Sequence, residues 1–246
     1  MLDETSKKGI ESGDIMPIHK PTFPAPPVFF EGVETQIVEF RVDPAVIQAH
    51  LPAPLKADPS GRVVAVSLRV PRSNSGPFLE AGLFIGCSYE GKVGVFNSHL
   101  YLDNPSAITA GRELWGYPKE FAHIRFTEHE GVLTCEVERQ GATILKISTA
   151  CHDPVDEASL PSMAPHFNLK LIPRADGPGP ALKQLLRSNQ EPYGESRQYV
   201  GTGSVSFGGS ALTNLSAFSP LEILSSHCHI GNLREDYHTI VHDYLA

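Results

Sequence analysis

The chain has 246 residues and a formal net charge of −8 at pH 7. With 41% apolar and 20% charged residues it is neither disordered nor fibrous, and its length is enough to bury a core without staples. The acidic balance argues against a nucleic-acid binder, which needs a basic surface, and 21 Gly with 21 Pro, spread without a period, imply many turns and a sheet-rich fold.

Residues 1–16 are polar and are expected to form a flexible N-terminus, with 17–246 as a single domain. The first residues contain no apolar segment of the secretory kind, and no run approaches 18 apolar residues. A cytoplasmic protein with no membrane partner is the expectation. MPIHKPTFPAPPVFF follows, with five prolines in positions 17–27, and reads as an extended arm lying on its own domain or on a neighbouring subunit.

TQIVEFRV reads as a strand, and DPAVIQAHL as a short helix with Asp43 as N-cap and Pro44 at its first position. RVVAVSLRV is β-branched and alternating, hence a strand. LEAGLFIGCSY and KVGVFNSHLYL are two strands joined at EG, a tight hairpin. DNPSAITAGREL changes period: Asp103 or Asn104 caps a helix that stops near WGYP, where Gly116 and Pro118 break it. FAHIRFTEH, GVLTCEVERQ and ATILKISTAC are three more strands with turns at EG and QG. HFNLKLIP is another, ALKQLLRS fits either a short helix or a strand, and QYVGTGSVSFGGS, LEILSSHCHIG and YHTIVHDYL close the chain. About ten strands and a few helices call for one antiparallel sheet closed on itself or for two packed sheets.

Several residues carry candidate chemistry. Lys119 follows the apolar RELWGYP. On the surface it is an ordinary lysine. Inside, desolvation disfavours the ammonium, and the neutral amine attacks carbonyls to form a Schiff base. Glu80, in FLEAGLF, is either at an exposed strand edge or a tuned carboxylate. His227 and His229 flank Cys228 and share a strand face, which admits one metal between them, but with no third ligand nearby ordinary strand histidines are the simpler reading. Cys87, Cys135, Cys151 and Cys228 show no CxxC and read as reduced, buried thiols. VGTGSVSFGGS lacks the spacing and the following helix of a phosphate loop, so its glycines are better explained by strand bends or close contacts.

YLDNPSAITAGRELWGYPKEFAHI resembles the signature of the acetoacetate decarboxylase family, whose Schiff-base lysine falls here on Lys119. That enzyme is itself a standing example of a lysine activated by desolvation or a neighbouring cation, so the mechanism is carried by the resemblance. PTFPAPPVFFEG resembles the family's N-terminal arm, FLEAGLFIG the segment supplying an active-site glutamate (here Glu80), and HFNLKLIPRADG, SPLEILSSHCHIGNL and HDYL its second half. The resemblance implies a mainly β (α+β) fold: a single-domain antiparallel β-barrel or cone with a few short helices. It also implies a small keto-acid substrate, no cofactor, no metal and a homo-oligomer. Glu120, Arg112 and Tyr117 are candidate substrate-binding residues beside the lysine.

Three positions depart from the family. Glu120 stands where a second lysine is expected, Val33 where an arginine meets the substrate carboxylate, and Ala65 and Ser67 lie where a further acid is expected. Glu120 pointing into the site would stabilise the ammonium, whereas on an extended backbone it would point away. The implied activity is a Schiff-base lyase that decarboxylates a β-keto acid. The alternatives are a pyruvate-type aldolase–dehydratase using the same enamine, or a non-catalytic small-molecule binding protein.

Overall fold

The structure is a computed structural model that describes residues 15–156, 162–211 and 213–246. The expected flexible terminus therefore lies, for residues 1–14, outside the described residues. β1 (Val28–Arg41) leads through α1 (Pro44–His50) and β2 (Lys56–Ala57) to β3 (Arg62–Val70), β4 (Arg72–Ser73), β5 (Phe78–Tyr89) and β6 (Lys92–Leu102). Next come α2 (Pro105–Glu113), β7 (Lys119–Phe121), β8 (His123–His129), β9 (Val132–Arg139) and β10 (Ala142–Pro154). β11 (His166–Pro173), β12 (Pro180–Arg187), β13 (Gln190–Phe207), β14 (Glu222–Glu235) and β15 (Thr239–Asp243) complete the chain.

Local chemistry sets these boundaries. Asp43 accepts a hydrogen bond from the Ala45 amide at 2.8 Å, with Pro44 as the first helical residue of α1. At α2 the cap is Asn104, whose side chain accepts from the Ala107 amide at 3.0 Å, while Asp103 turns aside to the Leu79 amide. The hairpins β5–β6, β8–β9 and β9–β10 turn on Glu90–Gly91, Glu130–Gly131 and Gln140–Gly141, both residues of each pair at positive φ. That is the type I′ geometry whose twist matches the flanking strands. ALKQLLRS, ambiguous in sequence, is β12, held between β11 and β15.

All the strands join one sheet, with β15-β12-β11-β6-β5-β3-β1-β14-β13-β10-β9-β8 as its main path. The mainly β expectation holds. The sheet is not, however, closed into a barrel: the path ends at β15 on one side and β8 on the other. The exposed outer strand β8 alternates and carries His123, Arg125, Glu128 and His129, charged or polar groups that keep a free edge in water. The central strands are buried on both faces, which is why RVVAVSLRV and FLEAGLFIGC read as nearly continuous apolar runs. Val38, Phe40, Val63, Ala65, Leu83 and Ile85 face one core, and Ile37, Val64, Val66, Phe84 and Leu100 face the other.

The proline-rich arm packs on its own chain. Phe23 and Ile15 are buried in the second core together with Ala107, Ala110 and Trp115, and the Ser106 hydroxyl donates to the Thr22 carbonyl at 2.7 Å. The glycines of VGTGSVSFGGS allow close strand approach: a Cβ on Gly201 would stand 2.0 Å from the Ala150 carbonyl oxygen. No helix among the described residues is long and apolar enough to cross a membrane.

Candidate active site

Three elements converge on Lys119. α2 ends at Glu113, and Gly116 at positive φ turns the chain so that Tyr117 donates its amide to the Gly111 carbonyl at 2.9 Å. The chain then enters β7, which pairs parallel with β6, Lys119 beside Leu100. In an extended strand consecutive side chains point to opposite faces. Lys119 therefore points in, its side chain 10% exposed, and Glu120 points out to an ion pair with Arg139. Gly111 leaves the space the lysine needs, since a Cβ there would stand 2.4 Å from Lys119 Cδ. Arg112 donates to the Lys119 carbonyl at 3.2 Å and so supports the backbone.

Glu80 comes from β5, opposite Leu68 and Leu102. Its carboxylate lies 3.1 Å from Lys119 Nζ, and its side chain is 11% exposed. The lysine nitrogen also sits 5.1 Å from the ring centre of Tyr117 and 5.8 Å from that of Phe78. The structure brings Lys119 and Glu80, two expected catalytic residues, together as a buried pair, while Glu120 and Arg112, expected to bind substrate, lie outside the cavity lining. Tyr117 does line it.

The sequence reading missed a second carboxylate, Glu235, at the end of β14. It accepts from the Tyr117 hydroxyl at 2.6 Å and from His238 Nε2 at 3.0 Å, and it is only 3% exposed. Burial works against its charge, but His238, the Tyr117 hydroxyl and the Lys119 ammonium outweigh it and hold its pKa below the ordinary value. Burial and this neighbouring carboxylate in turn push the Tyr117 phenol well above its usual range.

Lys119, Glu80, Tyr117, Phe78 and Glu235 line one end of a cavity of about 440 Å³. Its middle is apolar, built from Val33, Ile37, Val66, Leu68, Phe84 and Leu100. Val33, where an arginine was expected, is part of this apolar wall, whereas Ala65 and Ser67 face the other core, with Ser67 bonded to Gln36 at 2.7 Å. His227, His229 and Gln198 line another part of the cavity. Desolvation, with smaller effects from His229 and Arg62, lowers the His227 pKa to about 4, so its imidazole is neutral at working pH. Among the described residues no three His, Cys, Asp or Glu side chains are placed to hold a metal ion, so the His227/His229 pair remains a pair of cavity histidines. All four cysteines are free; Cys87 and Cys135 are buried, Cys151 and Cys228 half-buried.

Comparison with known proteins places the chain in a family. The family model described as acetoacetate decarboxylase matches residues 15–245. The acetoacetate decarboxylase of Chromobacterium violaceum is 32% identical over 235 residues, covering 94% of each chain. The crystal structure of acetoacetate decarboxylase from Legionella pneumophila superposes with a TM-score of 0.84 at 29% identity, covering 92% of each chain. The enduracididine biosynthesis enzyme MppR, in complex with pyruvate, shares the fold with a TM-score of 0.80 at 18% identity, covering 94% of this chain and 98% of its own. A buried lysine at the end of the GRELWGYPK segment, paired with a carboxylate in an apolar cavity, is thus set in a chain that belongs to the acetoacetate decarboxylase family.

Proposed function

We propose that this protein is a Schiff-base lyase that decarboxylates a β-keto acid through Lys119. The observation that carries the reading is the Lys119 amine, buried at a cavity wall 3.1 Å from Glu80 and covered by the Tyr117 and Phe78 rings. Attack requires the neutral amine, and Glu80 is within reach to accept the ammonium proton. The amine adds to the ketone carbon, and loss of water gives a protonated imine. The bond to the carboxylate carbon then breaks, CO2 leaves, and its electron pair moves through the new enamine to nitrogen. Protonation of the enamine carbon and hydrolysis return the ketone and the free lysine.

The surroundings suit each step. An apolar wall solvates a carboxylate poorly and neutral CO2 well, which favours loss of the carboxylate charge. Glu80 and Glu235 place two negative charges near the nitrogen that becomes cationic. The test is borohydride reduction in the presence of acetoacetate, followed by peptide mapping and CO2 measurement. An adduct on Lys119 with CO2 release supports the reading, and no adduct with any keto acid removes it.

A second reading, aldol condensation through the same enamine, draws on one observation. Among the described residues lining the cavity Lys119 is the sole lysine or arginine, because Glu120 and its partner Arg139 lie outside. No second permanent cation is there to hold a substrate carboxylate. Pyruvate with an aldehyde, giving a condensed product without CO2, would select this reading.

A further inference from the structure

The cavity is chemically divided along the sheet. Strand order places β5, with Glu80, on one side, then β3 and β1, then β14 and β13. The reacting lysine and Glu80 occupy one flank, which Glu235 joins from the last position of β14, eight residues beyond His227. Val66 and Leu68 from β3, with Val33 and Ile37 from β1, form an apolar middle. Beyond them His227 and His229 share one face of β14, and Gln198 on β13 stands directly opposite His229.

Gln198 is the informative residue. It is 7% exposed, it lines the cavity, and its Oε1 has no hydrogen-bond partner among the described residues. A buried carbonyl oxygen left without a donor is costly, and native proteins keep such groups where a ligand or water completes them. The lining around it carries no permanent charge, and the guanidinium nearest to His227, that of Arg62, lies behind the lining in an ion pair with Glu39 at 3.0 Å. The lysine and the acids of the lining, Glu80 and Glu235, belong to the reacting end, and the His227 imidazole is neutral above a pKa of about 4. A second carboxylate would find no unpaired cation in the lining there, and a hydrocarbon end would leave Gln198 unpaired.

We propose that Gln198 and His227 form a subsite for an uncharged hydrogen-bonding group at the far end of the substrate, so that the preferred ligand is a ketone or keto acid with an aliphatic spacer and a terminal hydroxyl. The volume agrees: about 440 Å³ lies in the range of sites for small organic ligands rather than four-carbon acids alone. This inference rests on the reading of Lys119 as the reacting amine, which fixes the orientation of the ligand.

The test uses methyl ketones of about five to eleven carbons, an order-of-magnitude span for a cavity of this class, with and without a terminal hydroxyl. Calorimetry gives the dissociation constant of each on the wild-type protein, Gln198→Leu and His227→Phe. At one chain length the hydroxy ketone is expected to bind about tenfold tighter than its plain partner, the worth of one good hydrogen bond. Gln198→Leu should remove that ratio and His227→Phe reduce it; if Gln198→Leu does not fold, His227→Phe alone decides. A ratio near one at every length, or one unchanged in the folded variants, overturns the subsite. Borohydride trapping of the wild-type protein with acetone runs alongside. A Lys119 adduct without the hydroxyl preference removes the subsite and leaves the Schiff-base reading, while the preference without an adduct supports the subsite and removes that reading.

Discussion

Gly111→Ala isolates the aim of the lysine from its chemistry. Gly111 lies within α2, and a methyl group on it would meet Lys119 at 2.4 Å from Cδ, 2.8 Å from Cε and 3.3 Å from Cγ. Ordinary contact begins near 3.4 Å, so the side chain must retreat by about an ångström. That exceeds the slack in a 3.1 Å contact between Lys119 Nζ and Glu80. Misplacing a reacting group by this much costs about 100-fold in rate. The fold should tolerate the change. Alanine gains about 1 kcal/mol over glycine in a helix, and overpacking costs about 1–3 kcal/mol, leaving a net loss below about 2 kcal/mol. The assay is the rate of borohydride-trapped adduct and of turnover, read beside a melting curve, with Gly177→Ala as control because nothing lies within 4 Å of its added methyl. A Gly111→Ala protein that labels at the wild-type rate would refute the idea that this gap positions the lysine.

Glu80→Gln removes the charge beside Lys119 and should lower turnover by about 100-fold with the fold intact, checked by steady-state kinetics and circular dichroism. Glu120→Lys should leave adduct formation unchanged, because Glu120 faces Arg139, and should cost up to about 1 kcal/mol of stability, measurable by denaturant unfolding. Acid should destabilise the fold before it unfolds. His227 takes its proton near pH 6.5 in the unfolded chain but only near 4 when buried, so the unfolded state binds more protons in between. Stability is therefore expected to fall as pH drops from about 6.5 to about 4, by on the order of 3 kcal/mol for this residue, and His227→Phe should flatten that part of the curve. His99 and His166, also lowered to about 4 mainly by burial, act in the same direction.

The strands and turns were legible because each is a local signal. Alternation marks FAHIRFTEH as a half-exposed outer strand, and EG and QG carry the positive φ values of their hairpins. Closure was not legible, since whether the two end strands meet depends on twist summed over the whole sheet. At the site, Lys119 and Glu80 could be named from their motifs, but their 3.1 Å separation could not. Glu235 escaped because its partner Tyr117 is 118 positions away in sequence. A signal did exist: His227, His229, Leu233 and Glu235 share one parity on one strand, and following that face to its end leads to the carboxylate. Glu120 looked threatening only while the direction of its side chain was unknown, and β7 settles that in three residues.

The pairing of β1 with β14, Val28 beside Glu235, has a consequence for biosynthesis. A ribosome adding roughly 5–20 residues per second takes on the order of 10–40 s to travel between those positions. For that interval the first long strand has β3 on one side and nothing on the other, an open template for strands of other molecules. Glu235, the last residue of β14, arrives with the strand that ends this exposure, so the carboxylate beside Tyr117 is among the final pieces of the site to be set in place.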